Sequence, residues 1–127
     1  MTMTLTEDSL HRFTGSESFF RHWCNRAFLY TEGAQCVAEQ GQAYWLIDEL
    51  ALANQYQPEV TREPFQQWTL TVADDHTATL ACDDGNGGRV FGKTIEFTDF
   101  PLAQIEFFVC ENEFGPGHFT LMLPSEY

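Results

Sequence analysis

The chain predicts an α+β domain, with N-terminal helices packed on one face of a roughly five-stranded antiparallel meander. Three observations carry that expectation. Residues 1–57 read as mainly helical, whereas residues 65–124 read as mainly antiparallel sheet, so the two kinds of element are segregated rather than alternating. The links between the C-terminal strands are short, which favours antiparallel neighbours. No Pro, Ser or Gly linker interrupts the 127 residues, so they read as a single domain, 1–127. The 43% hydrophobic content supplies a core, at roughly 25 cal/mol per Å² buried.

Thr6 can cap a first helix, with Glu7 and Asp8 at its positive end and Leu10 and Phe13 on its apolar side. The aromatic run from Phe19 to Tyr30 fits either a helix or a pair of strands, because its periodicity does not choose. Thr31-Glu-Gly reads as the start of a helix ending at Gly41, where glycine can take a positive φ. From Gln42 to about Gln55 the absence of Pro and Gly, with Trp45, Ile47, Leu50 and Ala51 spread around the circumference, predicts a heavily buried helix. Pro58 and Pro64 bracket a loop.

From Phe65 the hydrophobic period becomes two. Trp68, Leu70 and Val72 form one strand, Ala78, Leu80 and Cys82 a second, and Phe91, Lys93, Ile95 and Phe97 a third. Asp83-Asp-Gly-Asn-Gly-Gly supplies the positive φ values of a hairpin. Ile105, Phe107 and Val109 make a fourth strand, and Phe119, Leu121 and Leu123 a fifth.

The charge balance narrows the function. Nineteen acidic residues face six basic ones, for a formal net charge of -13. Such a field repels phosphate and attracts basic surfaces, so direct nucleic-acid binding is excluded and a basic, nucleic-acid-handling protein is the expected partner. Asp74, Asp75, Asp83, Asp84, Glu111 and Glu113 fall at or near predicted strand ends and are the candidate partner-binding residues. On one sheet edge they would imitate a phosphate backbone; otherwise they are a solvated surface.

Catalytic and metal signatures are weak. Asp74, Asp75 and His76 are adjacent, but no HxH, HExxH or CxxC spacing accompanies them, so neither metal nor cofactor is expected. The Asp83-Asp-Gly-Asn-Gly turn lacks the ligand spacing of a calcium loop. No GxSxG occurs, and no enzyme activity is expected. Asp48 and Glu49 interrupt the most apolar helix, so an alternative reading is a small enzyme or ligand-binding domain with Arg21, His22, Asp48 and Glu49 around a pocket at the helix-sheet seam. A buried tie from Asp48 to Arg21 or His22 is the plainer account.

The N-terminus shows no secretory pattern and no apolar run reaches membrane length, so a cytoplasmic address and no membrane partner are expected. Cys24, Cys36, Cys82 and Cys110 then read as free thiols acting as small hydrophobes. Trp68, Phe108 and Phe119 are more aromatic surface than a small core readily hides, which raises the further alternative of an oligomerising structural protein, a homodimer for instance.

Phe13-Thr-Gly-Ser-Glu, Arg21-His-Trp, Tyr30-Thr-Glu-Gly, Ala43-Tyr-Trp-Leu-Ile-Asp-Glu, Phe97-Thr-Asp-Phe-Pro-Leu and Leu123-Pro-Ser-Glu-Tyr together resemble a family of small uncharacterised bacterial proteins. The resemblance spans nearly the whole chain; Phe114-Gly-Pro-Gly-His, Cys24 and Cys36 depart from it. It implies carriage on plasmids and other mobile elements, and it transfers no catalytic residue. With the acidity, it suggests an inhibitor of a bacterial defence system such as CRISPR or restriction, acting by charge mimicry.

Overall fold

The computed structural model describes residues 5–6 and 18–127; the expected first helix lies outside them. The aromatic run resolves into a hairpin: β1 (Phe19–Arg21) pairs antiparallel with β2 (Phe28–Thr31). The helices α1 (Glu32–Gln40), α2 (Tyr44–Tyr56) and the single turn α3 (Pro58–Thr61) follow. Then come β3 (Phe65–Val72), β4 (Ala78–Asp83), β5 (Arg89–Ile95), β6 (Gln104–Glu111) and β7 (Phe119–Met122), with a closing 3₁₀ turn at Pro124–Glu126.

The fold is α+β, but its sheet is mixed and among the described residues has seven strands, in the order β1-β2-β7-β6-β3-β4-β5. Two features overturn the five-stranded meander. First, β6 pairs with β3 instead of β5. The segment 96–103 makes this possible: it runs past the ends of β4 and β3, pinned by Thr98 N to His76 O and by Val72 N to Ala103 O. Eight residues reach ~26 Å, comfortably beyond three strand spacings of ~4.8 Å. The exchange suits the side chains, because β5 exposes Gly92, Lys93 and Thr94 and tolerates an edge, whereas Ile105, Phe107 and Val109 of β6 are buried. Second, β7 inserts between β6 and β2 and runs parallel to β2, with Phe28 opposite Phe119.

Burial alternates with period two in β3 and β6, whereas β4 and β7 bury consecutive residues. Trp68, Leu70, Leu80, Cys82, Phe107, Val109, Phe119 and Leu121 share one core with Val37, Leu46, Ile47, Leu50 and Val60 of the helices. Trp68 and Phe119 are fully enclosed, and Phe108 packs against Phe65 and Tyr127 at centroid distances of 5.0 and 5.4 Å. Of the three aromatics expected to overflow the core, Trp68 and Phe119 are enclosed and Phe108 is half-buried; among the described residues the exposed aromatics are Phe19, Trp23, Tyr44, Tyr56, Phe97, Phe114 and Tyr127.

Polar ties fix the corners. Gln66, fully buried on β3, donates to Asn54 Oδ1 (2.7 Å) and Val60 O (3.0 Å), and accepts from Asn54 Nδ2 (3.1 Å) and Trp68 Nε1 (2.9 Å). Thr31 caps α1 by accepting from Ala34 N at 3.2 Å. The Glu126 carboxylate then binds that same helix start, accepting from Thr31 Oγ1 (2.7 Å), Gly33 N (3.2 Å) and Leu123 N (2.9 Å). A negative group belongs at that positive end. A Cβ on Gly33 would collide with the carboxylate, which three bonds hold in place. At the other end of α1, Gly41 keeps φ at -88° and Gln42 takes the left-handed conformation instead, at 51°. Gly41 is needed for space: a Cβ there would stand 2.8 Å from the Phe100 ring.

Candidate functional site

Of the four residues read as a seam pocket, the structure joins only His22 and Asp48. His22 is 2% exposed, and its Nε2 lies 2.7 Å from Asp48 Oδ1. Its Nδ1 accepts the amides of Cys24 (3.2 Å) and Asn25 (2.9 Å), so the ring proton sits on Nε2 and is donated to Asp48. A general base needs a lone pair facing substrate, and both ring nitrogens here are already committed. The pair instead fastens the β1–β2 loop to α2. Asn25 reinforces it by donating to Ala51 O (2.9 Å), and the Trp23 indole adds a bond to Asp48 Oδ1 (3.0 Å). Burial first, and the nearby Asp48 charge second, push the Tyr30 phenol above its ordinary value.

Arg21 and Glu49 go elsewhere. Arg21 stands opposite Leu29 in the β1–β2 pairing, on the sheet face away from Phe28. Glu49 grips Lys93 of β5 through both carboxylate oxygens, at 2.9 and 2.8 Å.

Glu49 does border a cleft at the helix-sheet seam. The end of α1, the start of α2 and segment 95–101 enclose about 500 Å³, lined by Gln40, Trp45, Glu49, Phe97, Asp99 and Phe100 among others. Turn chemistry builds one wall: Thr98 Oγ1 accepts from Phe100 N at 3.1 Å, while Thr98 O accepts from His76 Nδ1 at 3.2 Å. The opposite wall carries an anomaly. Gln40 Oε1 is the buried side-chain oxygen, among the described residues, that has no hydrogen-bond partner. An unmade bond of that kind costs about 1–3 kcal/mol. Asp99 is exposed and forms no ion pair with any described residue. The cleft therefore sets two aromatic side chains, Trp45 and Phe97, beside the exposed Asp99 carboxylate and the buried Gln40 oxygen.

The six acidic candidates divide between opposite ends of the sheet. Asp74 and Asp75 occupy the β3–β4 turn, whose His76 bonds to the cleft's Thr98. Asp83, Asp84, Glu111 and Glu113 lie at the far end of β3, about 23 Å away along the strand. Three of the six also build local structure. Asp75 accepts from Thr77 N and Oγ1 (3.0 and 2.6 Å), and Asp84 accepts from Asn86 N and Gly88 N (2.8 and 3.0 Å); these bonds lower both carboxyls below the usual range. Asp83 pairs with Arg89 at 2.7 Å. Among the described residues, no group of three or more His, Cys, Asp or Glu is placed to hold a metal ion. No helix among them is long and apolar enough to cross a membrane.

The described segments that carried the resemblance meet pairwise in space: Arg21-His-Trp with the helix bearing Asp48, Tyr30-Thr-Glu-Gly with the chain end bearing Glu126, and Trp45 and Glu49 with Phe97-Thr-Asp-Phe-Pro across the cleft, while Phe13-Thr-Gly-Ser-Glu lies outside the described residues. A model of a family of unknown function, DUF6876, matches residues 4–127. The chain belongs to that family. No curated protein and no solved structure matches it. Membership names a lineage without an activity, so function must be argued from the cleft and the charge. Sequence reading found Glu49 at the seam but missed Gln40, Trp45, Phe97 and Asp99 as its neighbours. The period-two reading carries the third strand on to Phe97, whereas β5 ends at Ile95, which leaves Phe97-Thr-Asp-Phe-Pro to wall the cleft.

Proposed function

We propose that this protein is a non-enzymatic acidic binding protein that receives a basic side chain of a partner protein in the seam cleft. The observation that carries the reading is the buried, unpartnered Gln40 Oε1 in a cleft that also carries the exposed Asp99 carboxylate. A buried acceptor without a donor calls for a ligand that donates. An arginine or lysine side chain would bring a cation to Trp45, Phe97 and the exposed Asp99 carboxylate, and a donor that Gln40 would meet by turning its buried Oε1 toward the cleft. The net charge of -13 would speed the encounter and make it weaken with salt. The committed nitrogens of His22 support binding over catalysis.

The partner class that fits is a basic, nucleic-acid-handling protein, a CRISPR or restriction component of a host defence system being the natural case for a chain carried on mobile elements. Asp74, beside the cleft, and the group at Asp83, Asp84, Glu111 and Glu113 would then act as separate outer contacts.

The test is an amide NMR titration with N-acetyl-argininamide at low and high salt. Saturable shifts centred on Gln40, Trp45 and Asp99, lost in Asp99→Asn and weakened by salt, are expected. Shifts scattered over the acidic surface, or unchanged in Asp99→Asn, would overturn the reading.

A further inference from the structure

A second recess has the opposite chemistry. It opens on the sheet face that carries Arg21, Leu29 and Thr120, and it encloses about 500 Å³ between β1, β2 and the β6–β7 loop. A smaller hollow of about 150 Å³ shares Arg21, Arg26, Leu29, Asn112 and Phe114 with it and adds His118. Five of the chain's six cations lie among the described residues, and Arg89 and Lys93 are already bonded to carboxylates. Among the described residues neither Arg21 nor Arg26 has an ion-pair partner, and both border this recess.

The fold holds the arginines in place. Arg21 is fixed by its strand register with Leu29. Arg26 sits in a loop closed by His22 N to Phe28 O (2.8 Å) and Phe28 N to Asn25 O (3.0 Å), and anchored by the buried His22 and Asn25 side chains. The facing loop is equally built: Asn112 donates to Thr120 Oγ1 (3.1 Å) and accepts from Phe114 N (3.0 Å), while Phe119 N donates to Ala27 O (3.1 Å). Phe19 and Phe114 stand exposed at 53% and 63%. Strand β1 and the β1–β2 loop thus present two arginines beside the aromatic side chains Phe19 and Phe114.

We propose that this recess binds a small organic anion, a carboxylate or phosphate carried on a flat apolar body. Guanidinium matches both anions through parallel N–H donors. Phe19, Leu29 and Phe114 would cover the apolar part. The size limit follows from the field: within ~8 Å the two arginines dominate, but a long polyanion would meet the whole acidic protein and be repelled. Glu113 borders the recess and opposes binding.

Amide NMR titrations with phenyl phosphate, benzoate and inorganic phosphate test the proposal and separate the two anions. Saturable shifts at Arg21, Arg26, Asn112 and His118 are expected with phenyl phosphate or benzoate, with inorganic phosphate at least tenfold weaker. Arg21→Gln and Arg26→Gln, both exposed and expected to melt like the native protein, should each weaken binding about tenfold. Glu113→Gln should tighten it. The proposal is overturned if neither aromatic anion saturates, if inorganic phosphate binds equally well, or if the arginine variants bind like the native chain.

Discussion

Two amide side chains flank α2, and the fold treats them differently. Gln66, under its C-terminal half, is fully buried with both polar atoms bonded, to Asn54, Trp68 and the backbone of α3. Gln40, beside its N-terminal half, keeps a buried oxygen with no partner. The first shows that this fold can satisfy a buried amide completely. On the function proposed above, the second is an acceptor kept for a ligand, at a local cost in stability.

The sharpest way to break the contrast is Gln66→Ala. It leaves a cavity and strips partners from Asn54 and the buried Trp68 indole, so a loss of about 3–5 kcal/mol in urea unfolding is expected. A small loss would mean that the Gln66 cluster is not what closes this region.

Cys82, opposite Trp68 in the β3–β4 register, probes the same closed region through pH. Burial first, then the charge of Asp83, pushes its thiol from 9.0 up to about 12. Between those values the native state keeps a proton that the unfolded state has released, so stability is fully present below 9.0 and falls as pH rises toward 12. Cys110, Tyr30 and Tyr44, all raised, add the same sign. Urea midpoints should drop across that window, and less steeply in Cys82→Ala; an equal slope in the variant would contradict the burial account.

Asp48→Ala should cost about 1–3 kcal/mol while leaving a folded protein, because His22 Nε2–H then loses its acceptor in a nearly closed site. Glu126→Gln keeps one oxygen for Thr31 and Leu123 but sets an NH2 against the Gly33 amide, so it removes the charge and one acceptor at the α1 start, and about 1–2 kcal/mol is expected, part of it screened by salt. A larger, salt-independent loss would show that the geometry of Glu126 matters more than its charge.

Local features of this fold were legible because periodicity is local. The spans of α1 and α2 and the alternation from Trp68 to Val109 could be read directly, as could the Thr31 start of α1. Strand order was not, since the β5-to-β6 crossing and the parallel β2–β7 pair depend on which edges attract across many residues. Phe19 to Tyr30 stayed ambiguous because aromatics suit helix and strand alike; His22 and Asn25, closing the hairpin through side-chain bonds, decide it. The cleft was hidden for the same reason as the strand order. Gln40, Trp45 and Asp99 come from three separate segments, and none breaks a local pattern.

The most direct measurement is the thermal melting of the native protein and of Gln40→Met, each with and without N-acetyl-argininamide. If Gln40 Oε1 is an acceptor kept for a cationic donor, the variant alone should melt at or slightly above the native temperature, within about 1 kcal/mol of its stability, and the ligand should raise the native melt while leaving the variant unmoved. A variant that melts well below the native protein, or that is stabilised by the ligand to the same extent, would contradict the account.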